Sequence, residues 1–369
     1  MTPEELRDDI PLVSEGDDDD DYAYLNTGAS GPTPNCVHAA IDEARDAHAE
    51  AHADDAYAYE EEVAYETRET VASLVNAQPE RLALTSNTTD GINFVADCFD
   101  WGSDDVIVTT ELEHPAGVLP WERVAEVHGA ELRVVPTEGR NDEVGRLDRD
   151  AYERAVEGAT LVCFSSVSWY GVRLPVEELV ETAHDAGAAV VVDAAQSVGA
   201  EHVDVREWDA DYVAAPAHKW LLGPWGVGFL YVAEDAHVEA RTRVGYKSAV
   251  EPNESAVLHD DARRFEVSTS SPALLAGARA GVETLCGVGL GTVEERISRL
   301  TARLEEGLGD RHISTASGLV RFRDETPEET VERLKNEGVV VRSLPNGDLR
   351  ASVHVFNTEE DVERLLTDL

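Results

Sequence analysis

Lysine is nearly absent. The 369-residue chain holds three, Lys219, Lys247 and Lys335, and arginine supplies almost all of its positive charge. Bases as a group are scarce, with 30 Lys and Arg against 75 Asp and Glu, for a formal net charge of -45. So acidic a surface repels polyanions, which excludes nucleic acid and anionic membrane as expected partners. It also repels itself in dilute buffer, whereas at molar salt the Debye length is only about 3 Å and the repulsion is screened. High acidity with so little lysine is the composition expected in the cytoplasm of a salt-accumulating extreme halophile. Cysteine is sparse too: Cys36, Cys98, Cys163 and Cys286 form no CxxC pair, so neither a zinc site nor a disulfide framework is indicated. No apolar run approaches the ~20 residues that span a bilayer, and no signal-peptide pattern opens the chain. The expectation is a soluble, cytoplasmic protein. No GxGxxG follows the early strand, which argues against a nicotinamide-binding Rossmann enzyme.

Against that scarcity, one lysine stands in an apolar, glycine-flanked stretch, Ala214-Ala215-Pro216-Ala217-His218-Lys219-Trp220-Leu221-Leu222-Gly223-Pro224. It lies between two strand-like runs, Tyr212-Val213-Ala214 and Val227 to Val232. A chain that keeps lysine there needs an amine, because an amine forms a Schiff base with a carbonyl cofactor and a guanidinium does not. Upstream, Ala188-Ala189-Val190-Val191-Val192-Asp193 reads as a buried parallel strand with an acid at its carboxyl end, where ligands bind in open α/β sheets. A carboxylate buried there needs a cationic partner, either a protonated pyridine nitrogen or an arginine. Gln196 follows three residues on.

Asp193, Gln196 and His218-Lys219 together resemble the pyridoxal-phosphate enzymes of the class V aminotransferase family, which includes the cysteine desulfurases. Similarity runs from the opening Tyr24-Leu25-Asn26-Thr27-Gly28-Ala29-Ser30-Gly31-Pro32 to the closing Leu349-Arg350-Ala351-Ser352-Val353-His354-Val355-Phe356-Asn357-Thr358. The resemblance implies an α/β protein of fold type I. Its large domain (22–290) has a mainly parallel seven-stranded sheet covered by helices, and a small α+β domain (291–369) closes the chain. Residues 1–21, ending in Asp17 to Asp21, are expected to be a solvated acidic segment.

The resemblance also assigns roles. Pyridoxal 5'-phosphate is the implied cofactor, held by Lys219, with Asp193 at the pyridine nitrogen and Gln196 at the ring hydroxyl. The strand Arg81 to Thr85, the turn Ser86-Asn87-Thr88-Thr89-Asp90-Gly91 and a helix from Ile92 make a natural anion site. An ordinary N-cap by Thr88 or Thr89 is the plain alternative, and the family uses this turn for phosphate. His114 matches the histidine that stacks on the ring. Arg350 matches the arginine that clamps the substrate carboxylate, although pairing with a nearby acid would equally explain it in this chain. Asn26 and Trp169 are expected at the substrate. Thr269 resembles a threonine lent to the neighbouring subunit's phosphate, which implies a homodimer with shared sites. Pro216 replaces a hydroxyl residue that usually binds phosphate, and no asparagine stands near Trp169.

Other features imply little chemistry. His48 and His52 are spaced i, i+4 without a third ligand and read as a solvated pair. Desulfurases carry a nucleophilic cysteine shortly before the clamping arginine; here Arg342-Ser343-Leu344-Pro345-Asn346-Gly347-Asp348-Leu349 contains none. Persulfide formation by that route is not supported. The expectation is therefore an aminotransferase-like enzyme acting on an amino acid or amine. A C–S or C–Se lyase or an epimerase comes next, and a non-catalytic cofactor-binding scaffold is the reading from another class.

Overall fold

Seven short apolar runs build the central sheet. They are β1 (Leu82–Thr85), β2 (Val106–Thr110), β3 (Glu131–Val135), β4 (Leu161–Ser165), β5 (Ala189–Asp193), β6 (Tyr212–Pro216) and β7 (Gly228–Val232). Their order across the sheet is β1-β7-β6-β5-β4-β2-β3. Neighbours from β6 to β3 pair in parallel, and β7 alone runs antiparallel to both β6 and β1. The computed structural model describes residues 1–14, 22–138, 145–238, 243–313 and 315–369.

Valine-rich strands with few polar residues are what a sheet covered on both faces demands. Side chains alternate between two cores. Val162, Phe164, Val190 and Val192 join one, while Leu161, Cys163 and Val191 join the other. On the second face the helix Thr88–Ala96 packs Ile92, Phe94 and Val95 against the sheet. A separate helical layer forms where Asn35–Glu50 and Ala53–Leu74 lie against Pro272–Val288. This is the fold expected from the sequence, an α/β fold of type I with a mainly parallel seven-stranded sheet. Among the described residues no single helix is long and apolar enough to cross a membrane.

The C-terminal region carries its own antiparallel sheet of β8 (His312–Ile313), β9 (Leu319–Arg323), β10 (Arg342–Ser343) and β11 (Asp348–Ser352), in the order β8-β9-β11-β10. Helices Leu290–Leu308, Pro327–Asn336 and Glu359–Asp368 accompany it. One strand assigned by sequence to the large domain belongs here instead. Ala23–Tyr24 pairs in parallel with Val339–Val340, Asn26 bridges Ser352, and Ala23 and Leu25 sit in the C-terminal core.

The first residues also differ from expectation. Pro3–Asp8 is a helix with a Thr2–Glu5 capping box, and Leu6, Ile10 and Val13 are fully buried in the main core. Leu6 lies on the helix, and the turns that follow it carry Ile10 and Val13 into the same core. Burying such side chains stabilises by roughly 1.5–3 kcal/mol each, which offsets the ordering of an otherwise acidic segment. Arg7 ties the helix to Asp361 at 2.9 Å. The aspartate block 17–21 lies outside the described residues.

His48 and His52 do not share a helix. His48 lies in Asn35–Glu50 and His52 caps Ala53–Leu74, and both are exposed.

Candidate active site

Parallel strands bring their carboxyl ends to one edge of the sheet, and the chain spends its chemistry there. β1 runs into Ser86-Asn87-Thr88, β2 into His114, β4 ends on Ser165, β5 on Asp193 and β6 leads to His218-Lys219. Because β7 is antiparallel, its incoming turn at Trp225-Gly226 faces the same edge. Together they enclose a cavity of about 470 Å³, capped from the C-terminal sheet by Arg342 and Arg350.

The lysine turn is rigidly anchored. Trp220 is 1% exposed and donates its indole N–H to Gln196 Oε1 at 2.8 Å, and Leu221 and Leu222 are buried beside it. Gly31 packs so closely on this turn that an added Cβ would lie 2.2 Å from the Lys219 carbonyl oxygen. Burial lowers the Lys219 pKa to about 8; Asp193 opposes the shift, and Arg350 and Arg342 reinforce it. A free amine is therefore accessible near neutral pH. Asp193 is 5% exposed, and burial raises its pKa although Lys219 and the Ala195 N–H, 2.9 Å from Oδ1, pull it down.

Helix Thr88–Ala96 is capped by Asn87, whose side chain accepts from the Asp90 N–H at 2.9 Å. That removes the plain reading of Thr88 or Thr89 as caps. Both line the cavity, and Thr88 Oγ1 is buried without a partner. His218 stacks on Trp225 at 4.6 Å and leaves its buried Nδ1 equally unpartnered. Burial holds the His218 pKa near about 4, with Lys219 adding to the shift.

His114 is held edge-on to Trp169, 5.1 Å between ring centres, and its Nδ1 accepts from the Ala116 N–H at 3.2 Å. Burial, Lys219, Arg342 and Arg350 push its pKa down to about 4. It is a neutral imidazole, and the acceptor role of Nδ1 puts its proton on Nε2. Gln196 donates through Nε2 to the Gly28 carbonyl at 2.9 Å and keeps one amide hydrogen for the cavity.

Arg350 is 1% exposed. Its Nη1 donates to the Trp169 carbonyl at 2.7 Å, while Nε and Nη2 are buried and unpartnered. Among the described residues no carboxylate pairs with it. Burial, reinforced by Arg342, lowers its pKa to about 9. A buried guanidinium whose side-on edge lacks an anion is an anion site in waiting. Gly28 makes room for it: an added Cβ would lie 3.1 Å from Nη2 and 2.8 Å from Ser352 Oγ.

Two residues expected at the site stand apart. Asn26 does not line the cavity; it bridges Ser352 through the backbone. Thr269 is exposed and lines an adjoining groove that shares Ser86 and Gly226 with the cavity. Two residues not foreseen belong to it or its wall. Arg342 lies in the lining. Glu113, 6% exposed, accepts from the hydroxyls of Thr110 at 2.7 Å and of the cavity residue Ser165 at 2.5 Å, and burial raises its pKa to about 7. A glutamate in a loop before a histidine carries no sequence signal, whereas the Asn346-Gly347 turn was a usable hairpin signal for Arg342.

Among the described residues no cysteine lines the cavity. Cys163 precedes Ser165 on the same strand and face but is fully buried in the core, with its thiol pKa pushed well up by burial and then by Glu113.

A family model described as aminotransferase class-V matches residues 23–365. A probable cysteine desulfurase of Pyrococcus abyssi is 33% identical, over 99% of this chain and 96% of its own. The apo structure of a cysteine desulfurase from Thermococcus onnurineus NA1 superposes with a TM-score of 0.87 at 33% identity, over 100% of this chain and 97% of the other. The cystine C–S lyase C-DES, solved with its product cysteine persulfide, superposes at 0.86 with 26% identity, over 94% and 96%. With its lysine turn, sheet-edge aspartate and matched length, the chain belongs to the class V aminotransferase family of pyridoxal-phosphate-dependent enzymes.

Proposed function

We propose that the chain removes the Cα proton of an α-amino acid with Lys219, and that it expels a sulfur-bearing β-substituent without help from a protein thiolate. One observation carries the reading: a lysine with a lowered pKa and the anion-seeking edge of a buried arginine face the same thiol-free cavity. The relatives named above, cysteine desulfurases and a cystine C–S lyase, favour carbon–sulfur cleavage over the transamination that the sequence put first.

The cavity fits pyridoxal phosphate. The unpartnered Thr88 hydroxyl, His218 Nδ1 and the helix N-terminus would hold its phosphate. Asp193, whose burial outweighs the help it receives from Lys219 and the Ala195 N–H, would receive a protonated ring nitrogen. The neutral His114 ring would lie over the cofactor, and the spare Gln196 amide hydrogen would meet its hydroxyl. Thr269 would serve a partner subunit, consistent with its place outside its own chain's cavity. When bound, the cofactor supplies an electron sink for the charge that develops at Cα.

The chain's own residues do the rest. Arg350 fixes the substrate carboxylate through Nε and Nη2, which orients the Cα–H bond. Lys219 accepts the Cα proton as a neutral amine and afterwards, as ammonium, returns a proton to the departing sulfur. The C–S bond breaks with its electron pair on sulfur. In net terms a cysteine S-conjugate and water give a thiol, pyruvate and ammonium. Desulfurase chemistry would instead leave the sulfur on a protein cysteine, and none is in place.

The test is product identification at molar salt. Purified protein with a visible cofactor band is mixed with cysteine, cystine and S-alkyl cysteines and assayed for thiol or sulfide, pyruvate and ammonium. Stoichiometric release of all three is expected, and Lys219→Ala should lose it by at least about a thousandfold. Keto acid without thiol or ammonium would establish transamination instead.

A further inference from the structure

β10 and β11 form a tight hairpin through Asn346-Gly347, and its register puts Arg342 directly opposite Arg350. Residues opposite each other on antiparallel strands project to the same face about 4.5–5.5 Å apart. Both arginines line the cavity, Arg350 deeply buried and Arg342 exposed at its mouth. Among the described residues Arg342 has no carboxylate partner, in a chain with 75 acids to 30 bases. Most other described arginines do have one.

Two cations side by side repel. Behind burial, the charge of Arg342 contributes to lowering the pKa of Arg350, of Lys219 and of His114. Such an arrangement is uphill unless anions fill it, and one α-carboxylate satisfies only the free edge of Arg350. The guanidinium at the mouth remains for a second anion.

From this juxtaposition we propose that Arg342 selects substrates whose side chain ends in a second anionic group, such as a carboxylate. The inference rests on the amino-acid reading of the cavity and specifies its substrate class. The α-carboxylate goes inward to Arg350, and the distal anion points outward to Arg342. A cysteine S-conjugate ending in a carboxylate has this form, as does cystine with its second amino-acid end.

The experiment compares two ligands of nearly equal size, S-carboxymethylcysteine and S-carbamoylmethylcysteine, with glutamate and glutamine as a pair that cannot lose sulfur. The Kd of each for the holoenzyme is read from the change in visible absorbance. The acid is expected to bind about tenfold tighter than its amide, the ratio a charge-assisted contact supports at a partly solvated site. In Arg342→Ala that ratio should fall close to one, and in Arg342→Lys it should be partly kept. Retention of the cofactor band shows that each variant is folded. Equal binding of acid and amide by the native enzyme would overturn the inference and leave the amino-acid reading intact. Equal weakening of acid and amide in Arg342→Ala would also overturn it, placing Arg342 on the α-carboxylate. No absorbance change with any amino acid would overturn both.

Discussion

Replacing Arg350 by methionine is expected to make the protein more stable and useless for binding. The guanidinium is 1% exposed, without a carboxylate partner among the described residues, and burial lowers its pKa from the ordinary arginine range to about 9. At about 1.4 kcal/mol per unit, keeping it charged costs the fold roughly 5 kcal/mol at pH 7 as an order of magnitude. The sign follows from proton binding. The folded chain holds this proton less tightly than the unfolded one, so the penalty is full below about 9 and disappears only as pH rises toward the ordinary arginine range. Methionine removes the penalty and keeps much of the volume. It leaves the Trp169 carbonyl without its 2.7 Å donor, a loss of about 1–3 kcal/mol. The balance is a gain of about 2–4 kcal/mol for cofactor-free protein. Binding goes the other way. Two hydrogen bonds to a carboxylate, roughly 1.5–3 kcal/mol each, correspond to a loss of about a hundredfold or more in affinity. Thermal or urea melts of cofactor-free protein at molar salt measure the first effect. Amino-acid titrations of the holoenzyme measure the second. A variant that melts lower while binding amino acids normally would show that Arg350 is a structural residue and that the anion-site argument fails.

Glu113 gives a pH signature. Its pKa is raised from 4.5 to about 7 by burial, so the folded state binds its proton more tightly than the unfolded state. Its relative contribution is present below about 4.5 and is lost as pH rises through about 7, by about 3 kcal/mol in all. Glu113→Gln mimics the protonated form, and the Ser165 and Thr110 hydroxyls can still bond it. Chemical melts at pH 5.5 and 8 should show wild type losing stability relative to the variant, and parallel curves would refute the assignment. Net charge gives the last prediction. With -45 charges, lowering salt from 1 M to 0.1 M lengthens the Debye length from about 3 to about 10 Å. The melting temperature should fall steeply over that range, and a salt-independent melt would remove the halophilic reading of the composition.

What the sequence determined on its own was local and chemical. Apolar runs placed β4 and β5, the acid ending β5 pointed to the ligand edge, and one lysine in a lysine-poor chain was the candidate attachment point. These were legible because side-chain alternation and turn chemistry act over a few residues. The burial of Leu6, Ile10 and Val13 was not read from the sequence, because the acids around them gave the segment a solvated character. What folding alone decided involved partners distant in sequence. Whether Arg350 met an acid depended on β9, β11 and the Trp169 turn coming together, and they bring it a backbone carbonyl instead. The raised pKa of Glu113 depends on the core that excludes water from it, which outweighs the opposing hydrogen bond from Ser165, 52 residues away. Whether Thr88 capped its helix was settled by its neighbour Asn87, which took the role and left the threonine hydroxyl facing the cavity. Desolvation and register are properties of assembled elements, and so the charges that give this cavity its chemistry could be named from the sequence but not balanced until the chain was folded.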